Sequence, residues 1–97
     1  MISKRGLMKL AKKHLAAVEE LTEWYRVARK AEWARLEDVR KDFRSADQIR
    51  EALVFDIAWN GLRLITTIEY PAQRIFVKAL LTHKQYDRKE WMKWAKH

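Results

Sequence analysis

The stretch from Ala52 to Asp87 reads ALVFDIAWNGLRLITTIEYPAQRIFVKALLTHKQYD, and two turn signals cut it into three strand-like runs. Asn60-Gly61 is a strong hairpin signal, because a type I′ turn needs positive φ at both central residues. A two-residue loop there predicts Trp59 opposite Leu62, Ile57 opposite Leu64, Phe55 opposite Thr66 and Leu53 opposite Ile68. Opposed residues share a sheet face. The other face then pairs Ala58 with Arg63, Asp56 with Ile65 and Val54 with Thr67. The second turn is Tyr70-Pro71-Ala72-Gln73, with proline at a favoured position. Placing Glu69 opposite Arg74 puts Ile75, Val77, Ala79 and Leu81 on the oily face, and Arg74, Phe76, Lys78 and Leu80 on the other. One face is nearly all apolar and must be covered. The second carries Arg63, Arg74, Lys78, Asp56 and Glu69.

The N-terminal half supplies the cover. Ser3 is a good N-cap before Lys4. Leu7, Leu10, Ala11, His14 or Leu15, Val18, Leu21, Trp24 or Tyr25, and Ala28 follow at helical spacing. Ser3 to Ala31 is long for one helix in so small a domain, so a break is expected near His14. Leu36 to Phe43 reads as a short helix and Arg44 to Glu51 as loop. The expected order is helix, helix, short helix, three antiparallel strands, helix. That is an α+β fold with the N-terminal helices packed on one face of a small antiparallel sheet of about three strands, and a C-terminal helix.

The 97 residues suit one domain with a core that needs no staples. There are no cysteines, hence no disulfide and no thiolate metal site. No apolar run approaches a membrane span and no signal peptide is visible, which makes a cytoplasmic protein the expectation. The net charge of +8 is unevenly placed. Residues 1–14 carry five basic and no acidic side chains, residues 15–81 carry eleven of each, and residues 82–97 carry five basic and two acidic. The excess therefore sits at the two ends, the electrostatic footprint of a nucleic-acid binder.

Thr82-His83-Lys84-Gln85 reads as a capping box that starts the last helix. His83 and Tyr86, three apart, then share one helix face. Strand parity sets a condition. Unbroken alternation puts Thr82 on the basic face and His83 on the oily one, so only the turn into the helix brings His83 out.

These residues carry a resemblance. VFDI, then WNGLRL, then RIFVKALLTHKQYD, with MISKRGL, EWYRVARKAEW and RSAD upstream, resemble the HigB family of type II toxins in the wider RelE-like group. The match covers nearly the whole chain. It implies a compact α+β mRNA endoribonuclease (an mRNA interferase) that often acts on the ribosome and is neutralised by a helix-turn-helix, HigA-like antitoxin. It also implies functional roles for Asn60 and Arg63 in the hairpin, Lys78 on the third strand, and Thr82, His83 and Tyr86 in the TH-x-x-Y run. Two departures stand out. Gly61 replaces a larger, commonly charged residue, and the tail after Asp87 matches no pattern of the family.

The chemistry follows from the substrate as well. RNA carries its own nucleophile, the 2′-hydroxyl. A ribonuclease needs to align it, remove its proton, stabilise the phosphorane charge and protonate the leaving 5′-oxygen. No cofactor is expected, and the three histidines at 14, 83 and 97 lack a ligand spacing. Arg63 and Lys78 suit charge stabilisation, as a fork and a point charge. The expected register sets Arg63 opposite Leu80 and Ile65 opposite Lys78, with both cations on one face. His83 suits proton transfer because imidazole titrates close to neutrality. Tyr86 is a second acid or base, or a platform for a stacked base. Arg74, further along the face, suits a phosphate contact, and Asn60 and Thr82 belong with it among the RNA-binding candidates.

The tail RKEWMKWAKH allows three readings: an amphipathic helix docked on the sheet, an RNA-stacking platform or a membrane-surface segment. Trp24, Trp33 and Trp59 are expected to pack in the core or at its edge. Two further functions compete with the nuclease. One is a non-catalytic RNA-binding module of the same fold. The other is a regulatory protein whose basic surface meets a partner.

Overall fold

The computed structural model describes residues 7–9, 12, 14–57 and 61–94, without the side chains of Ala16 and Trp94. Ser3, Leu10, Trp59, Asn60 and His97 therefore lie outside the described residues. Residues 7–9 are helical, His14 interrupts with an extended φ of −139°, and a 3-10 turn over Leu15–Ala17 leads into α1, Val18–Ala28. The expected break at His14 is present. Leu21, Trp24 and Ala28 of α1 are buried, the i, i+3, i+7 stripe of a helix with one face on a core. Glu19 and Glu20 in its first turn and Arg26 in its last complement the helix dipole.

The short helix α2 spans Leu36–Asp42 and buries Val39. Its entry is fixed by the Asp38 carboxylate, which accepts from the Ala34 N–H at 2.9 Å. Its exit is fixed by Asp42, which accepts from the Trp33 indole N–H at 2.9 Å. Trp24, Trp33, Phe43 and Phe55 form an aromatic cluster with ring centroids 5.1–6.4 Å apart. Offset and edge-on contacts of this kind add to simple burial.

The sheet has four antiparallel strands in chain order, not three: β1 (Asp47–Ile49), β2 (Ala52–Ile57), β3 (Leu62–Glu69) and β4 (Arg74–Thr82). β1 lies in the segment read as loop. Three residues, only one of them apolar, give no alternation to detect. It forms because β2 offers a free edge, and side chains pin it there. Arg40 donates to the Ala46 carbonyl at 3.0 Å and pairs with Asp47 at 3.7 Å. Tyr70 donates to the Gln48 side-chain oxygen at 2.7 Å. The two-residue turn into β2 places Arg50 at φ 56°.

The β2–β3 ladder differs from the two-residue hairpin expected. It pairs Ile57 with Leu62, Asp56 with Arg63, Phe55 with Leu64, Val54 with Ile65 and Leu53 with Thr66. The slip is two residues, so every described side chain of the ladder keeps its expected face. The expected β3–β4 register holds from Glu69–Arg74 to Thr66–Val77, then shifts at a β-bulge between Ile65 and Thr66. Lys78 is the extra residue. Beyond it Ile65 pairs with Ala79, Leu64 with Leu80, Arg63 with Leu81 and Leu62 with Thr82. The bulge exchanges the faces of the strand end: Leu80 belongs to the main core, and Ala79 and Leu81 to the opposite face.

Two cores result. The main one packs Leu7, Ala17, Leu21, Trp24, Ala28 and Val39 against Leu53, Phe55, Ile57, Leu64 and Leu80. Thr66 is buried there, with its hydroxyl donating to the Leu53 carbonyl at 2.7 Å. The second core lies on the face expected to be basic. Ala52, Val54, Ile65 and Trp91 are buried in it, with Ala79, Leu81, Tyr86 and Met92 alongside. After β4 comes a five-residue helix, α3 (His83–Asp87), and then a 3-10 turn, Glu90–Trp94. The tail is thus docked on the sheet through Trp91, as a 3-10 turn and not as the amphipathic helix considered from sequence.

Candidate functional site

The end of β4 fixes the geometry. The expected capping box is formed: the Thr82 hydroxyl accepts from the Gln85 N–H at 3.3 Å, and the Gln85 side-chain oxygen accepts from the Thr82 N–H at 3.0 Å. This turns the chain at His83, which is exposed, and sets Tyr86 half-buried against the second core. The parity condition is met by the bulge. Because Lys78 adds a residue, Thr82 falls in register with the main-core face and the next position faces the other way.

Arg63 of β3 lies beside this turn. Its guanidinium pairs with Asp56 at 2.9 Å, both side chains being only about one-fifth exposed (18% and 20%). The same guanidinium sits 5.6 Å from the centroid of the Tyr86 ring. Trp91 stacks on that ring at 4.9 Å with planes 9° apart, and its indole N–H donates to the Tyr86 carbonyl at 2.9 Å. Asp56, Arg63, Tyr86 and Trp91 form one chain of contacts across the second face. With Trp91 and Arg63 both against the ring, Tyr86 offers its hydroxyl and not an open face for a base. Burial raises the pKa of that phenol above its ordinary value, Asp47, Asp56 and Asp87 raise it further, and Arg63 opposes the rise. The net rise makes the phenol a weaker acid than an exposed tyrosine.

The other candidates are spread out. Lys78 does not oppose Ile65 as expected. It sits at the bulge with its ammonium 5.6 Å from the Phe76 ring centroid. It lines a groove with Phe76, Lys93, Glu51 and Glu69, and Arg63 is not part of that lining. Arg63 opposes Leu81, not Leu80. Arg74 is exposed at the far end of β4, opposite Glu69. Asn60 lies outside the described residues. Arg63, Tyr86, Thr82 and His83 are thus gathered at one end of β4, with Lys78 further along and Arg74 at the opposite end. Among the described residues no group of three His, Asp or Glu side chains could hold a metal ion, and no helix is long and apolar enough to cross a membrane.

The partner of Arg63 was missed from sequence, although a signal existed. A hairpin slipped by two residues brings Asp56 opposite Arg63, an opposite-charge cross-strand pair that the tighter hairpin lacks.

Known proteins resemble this chain along most of its length. The profile of a family described as HigB_toxin, the RelE-like toxic component of a toxin-antitoxin system, matches residues 17–89. An mRNA interferase HigB of Escherichia coli O6:H1 (strain CFT073) is 30% identical over 91 residues, covering 91% of this chain and 88% of that protein. The mRNA interferase toxin HigB of Escherichia coli K12 and the mRNA interferase HigB of Shigella flexneri are each 24% identical over 90 residues, covering 90% of this chain and 86% of theirs.

Proposed function

This chain belongs to the HigB family of RelE-like toxins, the toxic components of toxin-antitoxin systems, and we propose that it is an endoribonuclease that cuts mRNA on the translating ribosome. The 2′-hydroxyl attacks the adjacent phosphorus, the O2′–P bond forms and the P–O5′ bond breaks. The products are a 2′,3′-cyclic phosphate and a 5′-hydroxyl. His83 takes the proton from the 2′-hydroxyl, and the Tyr86 phenol gives one to the departing 5′-oxygen. Arg63 faces the charge that develops on the non-bridging oxygens. Lys78 and Arg74 hold neighbouring phosphates, and Asn60 and Thr82 contact the RNA near the scissile position.

The observation that carries this reading is the Arg63 guanidinium over the ring of Tyr86, in the same capped turn that carries His83. A fixed cation beside a phenol in one capped turn supplies the charge stabilisation and the proton that an in-line transfer with an anionic transition state uses. The toxin works with an antitoxin, which we take to be a helix-turn-helix, HigA-like protein that covers or distorts the cationic end of β4.

The test is product chemistry. With a defined mRNA on purified ribosomes, the expected ends are 2′,3′-cyclic phosphate or 3′-phosphate. Cleavage should persist when EDTA is added beyond the magnesium the ribosomes need. Ends bearing 3′-hydroxyls mean attack by an activated water and sink the mechanism.

One observation favours a second reading. Asp56 neutralises Arg63, and Trp91 stacks on Tyr86, so both candidates also have structural work. A non-catalytic RNA-binding module with the same fold would keep that network and not depend on His83. His83→Ala separates the two, because it abolishes cleavage in the first and changes nothing in the second.

A further inference from the structure

The second face of the sheet carries a large apolar side chain that the Arg63–Tyr86–Trp91 network does not use. Phe76 is 42% exposed on β4. It faces a groove of about 520 Å³ that also bears Lys78 and Lys93. Lys78, the bulge residue, places its ammonium over the Phe76 ring, 5.6 Å from the centroid. Lys93 comes from the docked 3-10 turn, two residues after Trp91. The turn that docks Trp91 on the sheet therefore also brings Lys93 to the groove. Tyr86 has its ring between Trp91 and Arg63, whereas Phe76 is largely exposed, with Lys78 over its ring and Lys93 lining the same groove.

An exposed aromatic beside cations is the pairing that holds single-stranded nucleic acid: the ring takes a base by stacking, and the ammonium groups take the phosphates on either side. An aliphatic partner surface would not call for the two lysines, and a buried protein interface disfavours lysine at its centre. Glu51 and Glu69 line the same groove, where a carboxylate repels a phosphate and can accept from the exocyclic amine of a base. The charges thus orient a nucleotide with its base over Phe76 and its backbone along Lys78 and Lys93.

We propose that Phe76, Lys78 and Lys93 form a base-stacking subsite that holds a nucleotide of the single-stranded substrate away from the scissile phosphate. This rests on RNA being the substrate, as argued above. It gives Phe76 a function and makes Lys78 a contact of this subsite more than a neighbour of Arg63.

The test uses the full chain and a fluorescein-labelled 2′-O-methyl oligonucleotide on the order of ten nucleotides long, which cannot supply the attacking hydroxyl. Anisotropy should show that Phe76→Ala weakens binding roughly tenfold or more, and that Phe76→Trp restores it. Lys78→Ala and Lys93→Ala should each flatten the slope of log K against log salt by about 0.7. Thermal unfolding of each variant checks the fold, and Phe76→Leu checks whether mere apolarity suffices. Full affinity in Phe76→Ala, or equal rescue by Leu and Trp, overturns the subsite. If Phe76→Ala weakens binding but the wild type cleaves no mRNA with or without ribosomes, the nuclease reading fails and the subsite stands. If the wild type does not bind the oligonucleotide, the subsite falls, and cleavage of mRNA on ribosomes decides the nuclease reading separately.

Discussion

Asp56 and Arg63 stand directly opposite on neighbouring strands, and their side chains meet at 2.9 Å. Each is about one-fifth exposed, so neither charge is fully hydrated if the other is removed. Asp56→Ala should lower stability by about 1–3 kcal/mol, the cost of leaving a partly buried charged group without its acceptor. Urea unfolding of the two single variants and of the double variant with Arg63→Ala measures the coupling. Additive losses would mean that the pair contributes no more than an ordinary surface contact.

Arg63→Ala should slow mRNA cleavage by a factor on the order of 10²–10³, the usual loss when a donor to a developing anion is removed. RNA or ribosome binding should fall much less. Single-turnover rates and equilibrium binding on the same variant make the comparison. Equal losses in both favour a module that binds RNA without cutting it.

Tyr86→Phe keeps the ring between Arg63 and Trp91 and removes only the hydroxyl. Cleavage should fall by about 10²–10⁴ if the phenol supplies the proton, with stability at neutral pH within about 0.5 kcal/mol of wild type. Unchanged turnover would leave Tyr86 as a packing residue.

The same phenol makes a pH prediction. Burial, with Asp47, Asp56 and Asp87, raises its pKa in the folded state, Arg63 opposing. The unfolded chain then loses this proton first as pH rises. The contribution is complete below the unfolded value of about 10 and is lost as pH climbs through the folded value. Wild-type stability should therefore decline faster than that of Tyr86→Phe above about pH 10. Parallel curves in alkaline denaturation would show that the hydroxyl does not feel these neighbours.

An antitoxin that covers the cationic end of β4 should associate faster at low salt than at high salt, because opposite charges steer the encounter. Stopped-flow association with the cognate antitoxin tests this. A rate independent of salt would remove steering by the basic ends of the chain. Cleavage left intact in the complex would remove occlusion of the site.

The alternation of Leu53, Phe55 and Ile57, answered by Leu62 and Leu64, made the core face of the central hairpin legible, and it survived a wrong loop length because the slip was even. The capping box at Thr82 was legible because side-chain and backbone groups of one short segment satisfy each other. The bulge was not. Ala79, Leu80 and Leu81 are all apolar, so alternation carries no information where the faces exchange. β1 was hidden because Asp47 and Gln48 are polar and the strand is held by Arg40 and Tyr70, which are distant in sequence. The pairing of Lys78 with Phe76 instead of Arg63 follows from the same unreadable bulge.

Lys78 acts on β4 as a frameshift acts on a message. Side chains before it alternate in one phase across the sheet and those after it in the opposite phase. Deleting that single residue would leave Val77 opposite Thr66 and Ala79 opposite Ile65 in unbroken alternation, so the capped turn would keep its place beside Arg63. The deletion would take only the ammonium from Phe76, separating the groove at Phe76 from the site at the strand end at one position.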